Sequence, residues 1–182
     1  MNYTPRPFKP IQYVPSSQEA SILNSPVLYA SAVAHAPLET GGNHWSIYLT
    51  TSATTAIQLD MTPTYTYPST GAKVPGGSKG NLVINALPYL LPGFATRDVR
   101  LDVRPGLTVR NFIKVLEDEG RHLYEFNSLG QGCRFWVTEQ LGLLLGKGLL
   151  LDFEQVDEAR EAILVQWPGG GRYGLVVGVY YV

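Results

Sequence analysis

Residues 44–51, His-Trp-Ser-Ile-Tyr-Leu-Thr-Thr, alternate with a period of two. Trp45, Ile47 and Leu49 fall on one face, and His44, Ser46 and Tyr48 on the other. That alternation predicts a half-buried strand. Val27–Ala36 is rich in small and β-branched residues and predicts a buried strand before it. Gly41-Gly42 marks the turn between the two. Thr54–Met61 reads as the hairpin partner of the histidine-bearing strand, and Asn81–Ala86 and Arg97–Val103 as two further strands. In the last of these Val99, Leu101 and Val103 face inward.

The period then changes. After Thr108, a good N-cap, Val109, Phe112, Ile113, Val115 and Leu116 recur at helical spacing, and Gly120 supplies a stop. Tyr124–Phe126 is a short extended segment. A glycine-rich loop, residues 127–132, leads into a second helix over Cys133–Leu145. Asp157–Gln166 predicts a third, halted by Trp167-Pro168-Gly169, and Tyr173–Val182 predicts a closing strand. Strands first, helices next and a strand last favour an α+β domain with a mostly antiparallel sheet. Residues 1–26 hold Pro5, Pro7, Pro10, Pro15 and Pro26 and read as an extended N-terminal arm. Residues 27–182 read as one domain. Pro63–Lys79, rich in Thr, Tyr, Pro and Gly, reads as a long loop that could serve as a lid.

Composition narrows the chemistry. Charged residues are 16% of the 182, with 14 basic and 15 acidic side chains. No basic surplus is present to neutralise a phosphate backbone, which argues against a nucleic-acid partner. One cysteine cannot form an internal disulfide, and one cysteine with three histidines cannot build a thiolate-rich zinc site. No glycine-rich phosphate loop follows a strand. Neither a metal nor another cofactor is therefore expected. The N-terminus has no apolar core of a signal peptide. No run reaches the roughly 18 apolar residues of a membrane span. The expectation is a cytoplasmic protein whose partner is an apolar small molecule.

Two residues then stand out. Cys133 lies where a glycine-rich loop becomes a helix. Unpaired N–H groups and the helix dipole favour an anion there, so a thiol tends toward thiolate. His44 opens its strand just after Gly41-Gly42, at a sheet edge. A nucleophilic thiol and an imidazole base need proximity in space and no set distance in sequence.

The stretch His44-Trp45-Ser46-Ile47-Tyr48-Leu49 resembles the histidine strand of the circularly permuted papain-like proteins. That group includes the lecithin:retinol acyltransferase-like enzymes, in which the histidine precedes the cysteine. Gly132-Cys133-Arg134-Phe135-Trp136-Val137 resembles the cysteine-helix motif of the same group. The order of elements between them agrees, and the likeness covers roughly residues 27–146. The chain also looks like a family of small fungal proteins with the same two motifs.

The resemblance implies an antiparallel sheet packed on a central cysteine-bearing helix. It implies Cys133 as nucleophile and His44 as its base. The group that orients the base should come from the following strand, where Gln58 stands in place of the acyltransferases' second histidine. Arg134-Phe135 likewise replaces an acidic residue and a histidine.

Three functions follow as expectations. The first is thiol acyl chemistry, hydrolase or acyltransferase, on an apolar ester, thioester or amide in fungal specialised metabolism. Tyr48, Tyr65, Tyr67, Arg134 and Trp136 are its candidate substrate contacts. The second is a pericyclic cyclase of the Diels–Alder kind in the same cleft. It needs no nucleophile, only a shaped apolar pocket and donors that polarise a carbonyl. Glutamine beside the base favours this reading, because it supplies no negative charge to an imidazolium. The third is an interaction module that recruits a protein through Tyr180-Tyr181-Val182.

Overall fold

The computed structural model describes residues 7–71 and 73–182. The first six residues of the proline-rich arm lie outside that set. The rest of the arm is structured. Strand β1 (Ile11–Val14), a 3-10 turn (Ser16–Gln18) and helix α1 (Glu19–Asn24) precede the strand predicted to open the domain. β1 pairs in parallel with a central strand, matching Ile11 to Leu82 and Val14 to Asn85. The arm is thus part of the sheet.

The other strands are β2 (Tyr29–Pro37), β3 (Asn43–Thr50), β4 (Ala56–Pro68), β5 (Ser78–Leu87), β6 (Arg97–Leu101), β7 (Tyr124–Phe126) and β8 (Val179–Tyr180). They form one eight-stranded sheet in the order β6-β2-β3-β4-β5-β7-β8, with β1 beside β5. Every pairing except β1 with β5 is antiparallel. Three longer helices complete the fold: α2 (Val109–Asp118), α3 (Cys133–Gly146) and α4 (Phe153–Ile163). The architecture is α+β with a large antiparallel sheet and four helices.

Alternation along each strand sorts the sheet into two faces. Trp45, Ile47 and Leu49 of β3 join Ile57 and Leu59 of β4 and Leu82 and Ile84 of β5 in the main core. Phe112, Ile113 and Leu116 of α2 and Trp136, Val137 and Leu141 of α3 fill that core from the helical side. Full burial of side chains this large contributes about 1.5–3 kcal/mol each. α3 is buried nearly all round, which suits a helix enclosed by β3 on one side and α4 on another. The opposite face carries a smaller cluster, Val33, Tyr48, Ala56 and Leu87, covered by Leu91 and Ala95 of the β5–β6 connection.

Three expectations are corrected. The long loop over Pro63–Lys79 is shorter than expected: β4 runs to Pro68, β5 starts at Ser78, and the register shifts between Pro63 and Pro68. The irregularity accommodates two prolines that cannot donate to a regular ladder, and the Thr64 hydroxyl donates to the Lys79 carbonyl at 2.8 Å instead. The remaining turn is anchored by the buried Glu125 carboxylate, which accepts from Thr70 N–H at 2.7 Å and its hydroxyl at 3.1 Å. The last helix starts earlier than its apolar spacing suggests, because Asp152 caps it by accepting from the N–H groups of Glu154 and Gln155. The closing strand shrinks to two residues, because the carbonyls of Tyr173 and Gly174 are taken by a side chain, that of Arg134.

Candidate active site

β3 enters the sheet through a buried asparagine. Asn43 donates to the carbonyls of His35 (2.7 Å) and Trp167 (2.9 Å) and accepts from Trp167 N–H (2.8 Å). It ties the start of β3 to β2 and to the segment after α4. The β2–β3 register shifts between Ala34 and Pro37, beside this point. Such a bulge re-aims the side chains next to it, and His44 is the next residue along β3.

His44 Nε2 lies 2.6 Å from Asp60 Oδ1. The two side chains are 20% and 17% exposed, so the pair is largely withdrawn from water. With Nε2 engaged, Nδ1 is the ring nitrogen left for the second partner, the Cys133 thiol. Trp45 N–H also donates to the sulfur. A cysteine, a histidine and an aspartate thus form one chain from the first turn of α3 across β3 to β4.

The electrostatics follow from these contacts. Burial opposes charge on both groups. For His44, the hydrogen bonds to Asp60 and Cys133, with their charges, override burial and hold the imidazole well above its ordinary value. For Cys133, burial pushes the thiol up, but the His44 hydrogen bond and charge and the Trp45 N–H bring it below the usual thiol range. The two titrate as one unit, and their mutual contacts shift it toward thiolate beside imidazolium.

The loop before Cys133 is held just as closely. Gly132 adopts φ 147°, which L side chains rarely adopt, and a Cβ there would meet the Tyr124 hydroxyl and the Phe126 ring at 3.1–3.2 Å. Tyr124 donates to the Gly132 carbonyl at 2.8 Å and accepts from Gly178 N–H at 3.1 Å. The Tyr124 hydroxyl therefore links the C-terminal segment to the residue preceding Cys133.

A cleft of about 560 Å³ opens over the triad. Leu38, Tyr65, Leu129 and Val176 give it apolar walls, and Cys133, His44 and Asp60 line it too. Leu38, Tyr65 and Leu129 are 40%, 71% and 65% exposed, so the apolar character reaches the rim.

The other expected site residues separate. Gln58 does not orient His44. It opposes Tyr48 in the ladder, too far along β4, and donates instead to Ser46 Oγ at 3.1 Å. Asp60, two residues on and on the same face, takes the role assigned to Gln58. Tyr48 is buried away from the cleft, its hydroxyl 3.2 Å from His35 Nε2. Tyr67 packs on Phe8 with ring centroids 4.8 Å apart, outside the cleft. Trp136 is fully buried and donates through Nε1 to the Arg121 carbonyl. Arg134 borders the cleft, but its guanidinium is spent on the carbonyls of Ile163, Tyr173 and Gly174 at 2.7–3.2 Å. Of the five candidate substrate contacts, Tyr65 has its side chain open to the cleft.

His35 forms a further layer beside His44. Its ring stands edge-on to His44 at 5.1 Å, and its Nε2 lies 2.9 Å from the Ser46 hydroxyl. Burial and the neighbouring His44 charge lower its pKa to about 4, so it stays neutral. Asp60 and Asn43 were not among the sequence-derived candidates. Asp60 had a visible signal, since the alternation that places Gln58 on the histidine face places Asp60 there too. Asn43 had none beyond adjacency to His44. No group of His, Cys, Asp and Glu among the described residues could hold a metal ion. No helix of the described residues is long and apolar enough to cross a membrane.

No curated protein and no solved structure matches the chain. Residues 29–181 match a family described as a domain of unknown function, DUF7770. With nearly the whole of the sheet and all three long helices inside that match, the chain belongs to the DUF7770 family.

Proposed function

We propose that this protein is a thiol enzyme of permuted papain-like architecture. It transfers or hydrolyses an apolar acyl group held as an ester, thioester or amide. The observation that carries the reading is the double engagement of His44, by Asp60 on Nε2 and by Cys133 through its other side. In this reading the Cys133 thiolate attacks the acyl carbonyl carbon. His44 gives its proton to the leaving group and then accepts one from water or from an acceptor alcohol or amine. Asp60 holds the ring and balances the imidazolium charge.

The cleft supports an uncharged acyl group. Leu38, Tyr65, Leu129 and Val176 wall it, and the guanidinium of Arg134, which borders it, is committed to backbone carbonyls. The cyclase alternative drew on a base without an anionic partner, and Asp60 removes that ground. The interaction-module alternative drew on a free C-terminal aromatic patch. Tyr180 instead packs on Tyr124 at 5.1 Å within the same chain, and its strand pairs with β7.

Incubation with an activated ester such as p-nitrophenyl butyrate, followed by intact mass, tests the reading. A butyryl adduct on Cys133, absent from Cys133→Ala, is expected. Unmodified Cys133 under conditions in which iodoacetamide alkylates it would contradict acyl chemistry.

A further inference from the structure

The left-handed backbone region is costly for any residue with a Cβ, and a bulky residue held there answers a local demand stronger than the strain. Among the described residues, Tyr65 alone of the non-glycine residues occupies it, with φ 56°. It sits in the β4–β5 irregularity between Pro63 and Pro68. Its neighbours fix it there. Tyr65 N–H donates to Ser78 Oγ at 3.3 Å, and Tyr67 N–H donates to Thr64 Oγ1 at 3.2 Å. Glycine or asparagine would adopt the same backbone at lower cost. Burial returns little for the strain, because the side chain is exposed. What a tyrosine supplies at this position is the placement of its ring.

The ring rests on Gly130. A Cβ at Gly130 would collide with the Tyr65 hydroxyl and lie 2.8 Å from Cζ and 3.0 Å from Cε1. Thr62 and Pro63 of β4 line the cleft, and so do residues 129–133 of the loop and helix start. A ring that reaches from β4 to Gly130 therefore spans from one lining segment to the other. The span lies close to the nucleophile. Gly130 precedes Cys133 by three residues, and three residues of chain reach at most about 11 Å. The cysteine side chain and the contact radii take up part of that distance. An acyl chain running from Cys133 toward Tyr65 meets the ring after only a few carbons.

We infer that Tyr65 is the specificity-determining residue of the cleft: seated on Gly130, its ring ends the acyl pocket and limits the substrate to short acyl groups of about butyryl size. The inference rests on the thiol acyl reading above and narrows its substrate class. Gly130 is a positioning residue, since any side chain there would displace the ring. The cleft of about 560 Å³ far exceeds such an acyl group, and the rest of it is left for the leaving group or the acceptor.

Acylation by p-nitrophenyl butyrate and by p-nitrophenyl octanoate, compared on each protein, tests it. The Cys133 thiolate bonds to the carbonyl carbon, p-nitrophenolate leaves, and its release gives the rate. Wild type should favour butyrate over octanoate by about tenfold or more. Tyr65→Ala removes the ring, and Gly130→Ala pushes it aside. Each should raise the octanoate-to-butyrate ratio by about tenfold or more. Tyr65→Phe keeps the ring and should keep the wild-type ratio. A wild-type ratio in both Tyr65→Ala and Gly130→Ala would overturn the inference. So would a parallel fall in both rates that leaves the ratio unchanged, which marks a structural role. A wild type that takes octanoate as fast as butyrate would overturn it too, with the thiol reading intact. A wild-type protein that forms no thioester on Cys133 with either ester, by intact mass, would overturn the thiol reading, and this inference with it.

Discussion

Asp60 Oδ1 lies 2.6 Å from His44 Nε2, and this contact turns a cysteine–histidine pair into a triad. It is a contact across two strands, β3 and β4, in a sheet whose alternation puts both side chains on one face. Asp60→Asn retains the size of the side chain and removes the charge that holds the imidazolium. Acylation of Cys133 by an activated ester is expected to fall by about 10²-fold to 10⁴-fold. Stopped-flow release of p-nitrophenolate measures it. A change below threefold would mean that Asp60 only packs against the ring.

Gln58→Ala separates the two candidate orienting residues. Gln58 donates to Ser46, not to His44. Its loss leaves a buried Ser46 hydroxyl one donor short and is expected to cost about 1–2 kcal/mol of stability. Acylation should change less than tenfold. Urea denaturation and the same ester assay, run side by side, check this. A loss as deep as that of Asp60→Asn would restore Gln58 as the orienting group.

Arg134→Ala is expected to act on stability. The buried guanidinium holds three backbone carbonyls, two of them in the C-terminal segment. Hydrogen bonds to a charged group are worth about 1.5–3 kcal/mol each, with partial recovery by water. A loss of about 2–4 kcal/mol is expected, read by urea unfolding, with faster proteolysis after residue 170. Unchanged stability with a raised KM alone would make Arg134 a substrate contact after all.

Much of this arrangement was legible in the sequence because it depends on local pattern. Period-two alternation placed His44, Ser46 and Tyr48 on one face, and a glycine-rich entry placed Cys133 at a helix start. What was not legible depends on pairing between distant segments. Gln58 and Asp60 share a face, and only the β3–β4 register, with Gln58 opposite Tyr48, decides which one reaches His44. Arg134 next to a nucleophile reads as a substrate anchor until carbonyls some 30–40 positions away are seen to use it up. Pro63 and Pro68 suggested a loop, since a bulge that admits prolines into a ribbon leaves no separate local mark.

His35 predicts an acid-side stability slope. Its folded pKa of about 4 lies below the ordinary histidine value of 6.5. The unfolded chain therefore binds the proton more readily, so the stability held above pH 6.5 is lost as pH falls toward 4. His44 has the opposite sign: its raised value favours the protonated folded state, and that contribution fades as pH rises through it. Below pH 6.5 His44 is protonated in both states and adds no slope. Urea midpoints of wild type and His35→Phe between pH 7 and 4.5 should show a shallower decline in the variant. Parallel curves would contradict a neutral, buried His35.

A thiolate at Cys133 held by His44 and Asp60 is read out by the rate of iodoacetamide alkylation across pH. The wild-type protein should show a reactive plateau that extends well below the ordinary thiol range near pH 8.5. In Asp60→Asn that plateau should retreat toward the ordinary range. A single rise near pH 8.5 to 9, identical in the two proteins, would mean that Cys133 is an ordinary thiol that His44 and Asp60 do not activate.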